Sequence, residues 1–119
     1  MNEIHIGTIE SKFADIIWKM EPVESPELVK IAEKELNWKK STTYTVLKRL
    51  CEKGIFKMED SVVTALISRQ EFEGLQSEQF VEENFKGSLP AFLAAFTARR
   101  KLSDKEIDEM KELIEQMRR

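Results

Sequence analysis

The chain has 119 residues and a formal net charge of −3, with 41% apolar residues but only four glycines and three prolines. That composition is typical of one globular, mostly helical domain, alone or with a small appendage, and it excludes a disordered chain. One cysteine, Cys51, excludes an internal disulfide and a cysteine-cluster metal site, and the lone histidine, His5, has no partner for a metal. No apolar run spans a bilayer and the amino end carries no secretory signal, so we expect a cytoplasmic protein without membrane insertion, metal or cofactor.

Apolar residues at helical spacing predict a first helix from about Thr8 to Met20. Thr8 is a candidate N-cap, and the residue before Pro22 resists helical dihedrals, which ends the helix. We expect Trp18 to cover an edge of the core. The predicted buried stripe consists of Ile9, Phe13, Ile16, Ile17 and Met20.

A second helix is predicted to begin at Ser25 and Pro26, with the serine as a hydroxyl cap and the proline in the first turn. Asn37 ends it, and Trp38 is expected to pack into the corner before the next helix. The inner face of the second helix consists of Leu28, Ile31, Ala32 and Leu36.

Residues 38–57, WKKSTTYTVLKRLCEKGIFK, predict a third amphipathic helix that ends at Gly54, whose left-handed conformation closes it. One stripe must face a core and consists of Thr43, Val46, Leu47 and Leu50. The opposite face carries Ser41, Tyr44, Thr45 and Lys48, flanked by Thr42 and Arg49. Three short helices, the last with a basic polar face, are typical of a helix-turn-helix core.

Positive charge is concentrated in this segment although the whole chain is acidic. Between Leu36 and Lys57 there are six basic residues, Lys40 among them, and one acidic residue, a local net charge of +5. Hydroxyls on such a face can read base edges in a major groove, while lysine and arginine neutralise phosphates. The alternative is an ordinary solvated helix surface.

After Gly54, two runs rich in β-branched and apolar residues, at 55–58 and 62–67, flank the turn signal Glu59-Asp60-Ser61. They predict a β-hairpin. The predicted fold class is therefore mostly α with a small β-hairpin. We expect two regions: a winged helix-turn-helix domain at residues 1–70 and a helical dimerisation region at residues 71–119.

Three further helices are predicted in the carboxyl-terminal region. A capping box at Ser68–Glu71, with Ile67 and Phe72 as its hydrophobic staple, begins a helix that runs to about Phe85 or Lys86. A short helix follows from about Leu89 to Arg99. A second capping box, Ser103–Glu106, begins the last helix.

These helices are too short to form a good core by themselves, and an apolar stripe left in water favours aggregation. Burial against a second copy of the chain is the economical solution, and folding back onto the winged helix is the alternative. The residues predicted to form the dimer interface are Leu89, Phe92, Leu93, Phe96, Leu102, Ile107, Met110, Leu113, Ile114 and Met117.

Three stretches resemble the penicillinase and methicillin-resistance repressor family (BlaI/MecI type), in the family's order and over nearly the whole chain. The first helix ends in Ile17-Trp18, as the family's opening segment does. The recognition segment runs from Trp38 through the threonine-rich Ser41–Thr45 to Gly54. The tail matches from Phe85-Lys86-Gly87-Ser88 through Phe96 to Leu102-Ser103-Asp104-Lys105-Glu106-Ile107.

The resemblance implies a homodimeric repressor on a palindromic promoter operator of double-stranded DNA, with Thr42, Tyr44, Thr45 and Lys48 at the groove. It also implies inactivation by proteolysis between Ala95 and Phe96 when a membrane sensor protease detects its signal, although family members typically have asparagine where this chain has Ala95.

Glu59 and Asp60 replace the family's usual basic wing tip, so Lys57 is the best remaining phosphate donor of the wing. The family's copper-responsive branch binds metal through cysteines in its tail. This tail contains no cysteine, which excludes that mode.

A winged-helix adaptor, whose third helix binds an acidic partner protein without sequence-specific DNA binding, is the rival interpretation, and the acidic wing favours it. An enzyme is not expected, because the chain has no paired histidines, cysteine–histidine arrangement, glycine-rich phosphate loop or metal-ligand spacing.

Overall fold

The computed structural model describes residues 6–118, so His5 lies outside the described residues. In this range the chain is mostly helical with one small sheet, as the sequence predicted. In chain order the elements are α1 (Thr8–Met20), β1 (Val23–Glu24), α2 (Ser25–Leu36), α3 (Lys40–Glu52), β2 (Phe56–Glu59), β3 (Val62–Ala65), α4 (Arg69–Phe85), α5 (Leu89–Arg99) and α6 (Asp104–Gln116). No helix in the described part of the chain combines the length and the apolar character that a bilayer span requires.

The sheet is antiparallel with the strand order β1-β3-β2, and β2 and β3 form the predicted hairpin. Asp60 and Ser61 connect them with positive φ angles of 51° and 65°. Such a two-residue turn matches the right-handed twist of paired strands. Strand β1 was not predicted, because its two residues carry no recognisable pattern and only pairing with β3 makes them a strand.

The described chain divides into two compact units, with the division between Ser77 and Glu78, inside the span of α4. We refer to the part up to Ser77 as unit 1 and the part from Glu78 onward as unit 2. That residues 71–119 serve specifically for dimerisation stays a prediction.

Unit 1 has a continuous apolar core to which all three strands and helices α1 to α4 contribute. Trp18 and Trp38 close its edges as predicted. The Trp18 ring packs between Phe56 and Phe72, at centroid distances of 5.1 and 5.4 Å, and Trp38 packs against Phe13 at 5.1 Å. The core residues are Phe13, Ala14, Ile17, Val23, Leu28, Ala32, Val46, Leu47, Leu50, Ile55, Phe56, Val63 and Phe72.

The predicted stripe of α1 was partly wrong. Ile9 is 54% exposed and Met20 is 41% exposed, whereas Ala14 is fully buried. The buried face is rotated toward Ala14, because the small alanine lets neighbouring elements approach the helix closely. The apolar pattern alone gave too much weight to the large side chains at the two ends of the helix.

Two predicted helix caps were also wrong. Gly7 is the N-cap of α1 and Glu24 is the N-cap of α2, and neither makes a side-chain capping hydrogen bond. Thr8 is simply the first residue of α1. At α2, strand β1 runs directly into the helix, so Ser25 is already helical and its hydroxyl is used elsewhere.

Other predicted helix ends are confirmed. Asn37 ends α2 in the left-handed conformation with φ 57°, and Gly54 follows α3 with φ 79°. At Ser68 both hydrogen bonds of the capping box form, because the Glu71 N–H donates to the Ser68 hydroxyl and the Ser68 N–H donates to the Glu71 carboxylate. The sequence therefore determines these boundaries through local hydrogen bonds.

Unit 2 also begins its helices as predicted. The Ala91 N–H donates to the Ser88 hydroxyl at 3.1 Å, which caps α5. At α6, Ser103 and Glu106 form a complete capping box. Hydrogen bonding of the Glu106 carboxylate by Ser103 holds the pKa of Glu106 below its ordinary value.

The apolar side chains of unit 2 are incompletely covered. Phe80, Phe85, Phe92 and Phe96 form an aromatic cluster with centroid separations of 5.5 to 6.2 Å. Nevertheless, none of residues 78–118 is buried. The large apolar side chains of unit 2 that remain more than one-third exposed include Phe80, Leu89, Phe96, Ile107, Leu113, Ile114 and Met117.

Candidate nucleic-acid interface

Helix α3 has one buried, mostly apolar side and one exposed, polar side. The predicted core stripe is buried without exception: Thr43, Val46, Leu47 and Leu50 are at most 7% exposed. On the other side, the predicted contact residues Lys40, Ser41, Thr42, Thr45, Lys48 and Arg49 are all exposed. The tertiary structure therefore presents hydroxyls and cations together on the exposed face of α3, while the opposite face packs into the core of unit 1.

Thr45 and Ser41 lie one turn apart at the centre of the exposed face. The Thr45 hydroxyl donates a hydrogen bond to the Ser41 backbone carbonyl at 2.8 Å. This bond fixes the side-chain rotamer and uses the only hydroxyl hydrogen, so the Thr45 oxygen faces outward as an acceptor. An acceptor of this kind can bind the amino groups that bases present in the major groove.

Tyr44 lies at the edge of the polar face, half-buried and packed against the core of unit 1. Its hydroxyl donates to the side-chain oxygen of Ser25, at the start of α2, over 3.2 Å. Tyr44 therefore has a structural contact that the sequence did not suggest.

The cations of α3 differ in their surroundings. The Arg49 guanidinium nitrogen Nη1 lies 4.0 Å from Oε1 of Glu10 on α1. Lys40 and Lys48 are exposed, with Lys40 in the first helical turn. The N-cap residue, Lys39, makes no side-chain capping hydrogen bond, so its side chain leaves the first-turn N–H groups of α3 uncapped, next to two lysines. This is a favourable environment for a phosphate.

The wing is less suited to phosphate binding. The Lys57 ammonium lies 3.5 Å from the Glu59 carboxylate in the same strand, and the turn adds the carboxylate of Asp60. Because Glu59 and Asp60 outnumber Lys57, the wing carries a net negative charge.

A shallow cleft of about 380 Å³ lies between α3 and the wing and is lined by Tyr44, Leu47, Lys48, Cys51 and Met58. Burial, helped by the negative charge of Glu52, raises the pKa of the Cys51 thiol. The thiol is therefore protonated at neutral pH, as expected of a packing residue rather than a nucleophile.

Two residues near the interface were missed from the sequence. The sequence predicted Ser25 only as a helix cap and assigned no role to Glu10. Only the packing of α1 and α2 on α3 brings them to Tyr44 and Arg49, so no local pattern could have identified them. Among residues 6–118, no group of three or more histidine, cysteine, aspartate or glutamate side chains could hold a metal ion.

The three-helix core, the exposed polar face of α3 and the adjoining β2–β3 hairpin define a winged helix-turn-helix protein. A sequence profile described as that of the penicillinase repressor matches residues 6–116. The chain belongs to this family of transcriptional repressors.

Similar proteins are the penicillinase repressor of Bacillus licheniformis and the methicillin resistance regulatory protein MecI of Staphylococcus aureus (strain Mu50 / ATCC 700699). The first is 26% identical over 115 residues, covering 93% of this chain and 90% of the relative. The second is 23% identical over 113 residues, covering 92% of both chains. MecI of Mammaliicoccus sciuri is 22% identical with the same coverage.

Proposed function

We propose that the protein is a homodimeric transcriptional repressor of the cytoplasm that binds a palindromic operator through α3. The observation that carries the proposal is the position of Thr45, Ser41 and Lys48 on the exposed side of a helix whose opposite side is fully buried. Family membership supports the repressor role.

We assign two kinds of contact to α3. Ser41, Thr42 and Thr45 read base edges, because short hydroxyl side chains can approach a groove closely, and the Tyr44 ring borders the same groove. Lys40, Lys48 and Arg49 bind phosphates and set the position of the helix on the duplex. The wing contributes little, since Glu59 competes with phosphate for Lys57.

The exposed apolar surface of unit 2 supports dimerisation. Side chains that remain one-third or more exposed on α5 and α6, including Leu89, Phe96 and Leu113, need a cover. A second copy of the chain provides the same apolar surface by two-fold symmetry. An interface of about 2,000 Å² would be ample for a stable dimer.

Dimerisation gives the weak individual contacts their strength. One helix with a few phosphate contacts binds poorly, whereas two tethered helices on half-sites one or more helical turns apart gain about 10² to 10⁴ in affinity. Repression therefore depends on the integrity of the dimer and requires no small-molecule pocket.

We further propose that cleavage between Ala95 and Phe96 by a membrane sensor protease relieves repression. Both residues lie within α5, and the Phe96 carbonyl accepts a hydrogen bond from the Arg100 N–H at 3.1 Å. Because proteases bind extended chains, we expect α5 to unwind locally before cleavage. A cut there would separate the two halves of the proposed dimer surface.

A mobility-shift titration of the full chain with its own upstream promoter DNA and with random DNA tests the proposal, combined with sedimentation equilibrium. We expect a dimer that retards the promoter fragment at much lower concentration than random DNA. A lone chain that binds the promoter tightly would refute the bivalent mechanism. Equal binding to both DNAs, with capture of an acidic partner protein, would favour the adaptor.

A further inference from the structure

Ser25 is an unusual serine, because it is polar, only 3% exposed, and located at the start of a helix that it does not cap. Serine in such a position commonly binds a first-turn N–H of its own helix. Here the hydroxyl instead accepts the hydrogen bond from the Tyr44 phenol at 3.2 Å. A buried hydroxyl needs a partner, and the partner of Ser25 lies on the recognition helix.

The backbone of Ser25 is bound to the wing. Its N–H donates to the Ser61 carbonyl in the hairpin turn at 2.8 Å. The preceding residue, Glu24, pairs with Val62 in the sheet. One residue therefore joins three elements: the turn of the wing, the first turn of α2, and the edge of α3 that carries Tyr44.

We propose that Ser25 is a positioning residue for DNA recognition, which fixes Tyr44 and the neighbouring edge of α3 relative to the wing. This proposal rests on the proposed function. Helix α3 is already held by its buried stripe, so loss of the Ser25–Tyr44 bond leaves the fold intact. Loss of the bond instead gives the Tyr44 ring more freedom to move. This ring and Lys48 both line the cleft next to the wing.

Correct placement matters more for operator DNA than for random DNA. Base contacts require donors and acceptors at fixed positions, whereas phosphate contacts tolerate small displacements. Losing the bond should therefore lower the preference for the operator and leave random-DNA binding unchanged. A loss of about five-fold corresponds to one typical hydrogen bond, and the proposed dimer loses one such bond at each half-site.

The test uses the full-length variants Ser25→Ala and Tyr44→Phe and the double variant, with Ser77→Ala as the matched control. Ser77 is an exposed serine of α4 whose hydroxyl donates to the Glu73 carbonyl of its own helix. Each single variant should lower the ratio of operator to random-DNA affinity by about five-fold per half-site, or about 25-fold for the dimer. The double variant should lower it no further, because both changes remove the same bond.

Tyr44 is the only tyrosine in the chain, which gives a readout independent of DNA. The phenolic carbon resonance of isotope-labelled tyrosine should shift in Ser25→Ala and stay in place in Ser77→Ala. The Tyr44→Phe variant keeps the proposal testable if Ser25→Ala fails to fold.

An unchanged affinity ratio in Tyr44→Phe would overturn the proposal, as would additive losses in the double variant or equal weakening on both DNAs. An unshifted resonance would show that the bond is absent in solution. If the unmodified protein itself does not prefer its promoter, the proposed function fails, and the resonance still reports whether Ser25 holds Tyr44.

Discussion

Glu10 on α1 lies beside Arg49 on α3, with 4.0 Å between Oε1 of the carboxylate and Nη1 of the guanidinium. The other carboxylate oxygen, Oε2, is buried and has no hydrogen-bond partner. The contact is therefore an incomplete ion pair at the edge of the proposed DNA-binding face. Glu10 competes with phosphate for Arg49 and adds a negative charge near the DNA.

We expect Glu10→Gln to tighten binding to operator and random DNA alike, by up to about five-fold, which is the strength of a partly exposed ion pair. The dependence of affinity on salt should become steeper, because Arg49 gains a phosphate. Titrations at several salt concentrations measure both effects. Glu112→Gln, an equal change of charge at an exposed position of α6, serves as the control. If both variants had the same DNA affinity and the same salt dependence, Glu10 would not compete with phosphate for Arg49.

Thr45→Val removes the outward-facing hydroxyl and preserves the shape of the side chain. We expect a loss of about 1–3 kcal/mol in preference for the operator, as for a base-reading contact. Thr97→Val, in α5, is a matched control. Like the Thr45 hydroxyl, the Thr97 hydroxyl donates to the backbone carbonyl four residues earlier, that of Leu93, at 2.9 Å. Equal losses on operator and random DNA would mean that Thr45 touches only the DNA backbone.

Lys48→Gln should weaken binding to all DNA sequences and lower the slope of log affinity against log salt by about 2, since the dimer loses one phosphate contact at each half-site. Lys57→Gln should change that slope much less, because Glu59 already partly neutralises Lys57. Lys105→Gln, on the exposed start of α6, controls for the change in net charge. A larger effect from Lys57 than from Lys48 would assign the wing a role that its acidic tip argues against.

Phe96→Asp should dissociate the proposed dimer, raising its dissociation constant on the order of a hundred-fold, since a carboxylate would be buried in an apolar interface. Sedimentation equilibrium measures this change. Ala98→Asp places the same charge two residues further along, on the opposite side of α5, and should leave the dimer intact. Circular dichroism checks that both variants keep their helices. A Phe96→Asp protein that still sediments as a dimer excludes this interface.

The Cys51 thiol should react slowly with a disulfide reagent at mildly alkaline pH, and faster once the chain is unfolded by guanidinium. Its pKa is raised by burial, so the unfolded chain ionises first as pH rises. The folded state then binds more protons than the unfolded state, and its stability decreases with rising pH in that window. Cys51→Ser should abolish this contribution. Equal reaction rates for folded and unfolded protein would contradict it.

Much of the fold could be predicted from local chemistry. Three kinds of signal act within a few residues: the capping boxes at Ser68 and Ser103, the left-handed residues Asn37 and Gly54, and the turn signal between the two β-branched runs of the hairpin. The polar face of α3 was likewise predicted from helical spacing. Hydrogen bonds and dihedral preferences of this kind depend on neighbours in the sequence, which is why the sequence reveals them.

By itself, then, the sequence determined the order of the helices, the site of the hairpin and the side of α3 that faces outward. Only the tertiary structure decided that Ala14 is buried while Ile9 is exposed, that Val23 and Glu24 form a strand, and that Ser25 binds Tyr44. These outcomes depend on contacts between residues far apart in the chain. The spacing of residues along one helix does not show which side chains of another helix will contact it.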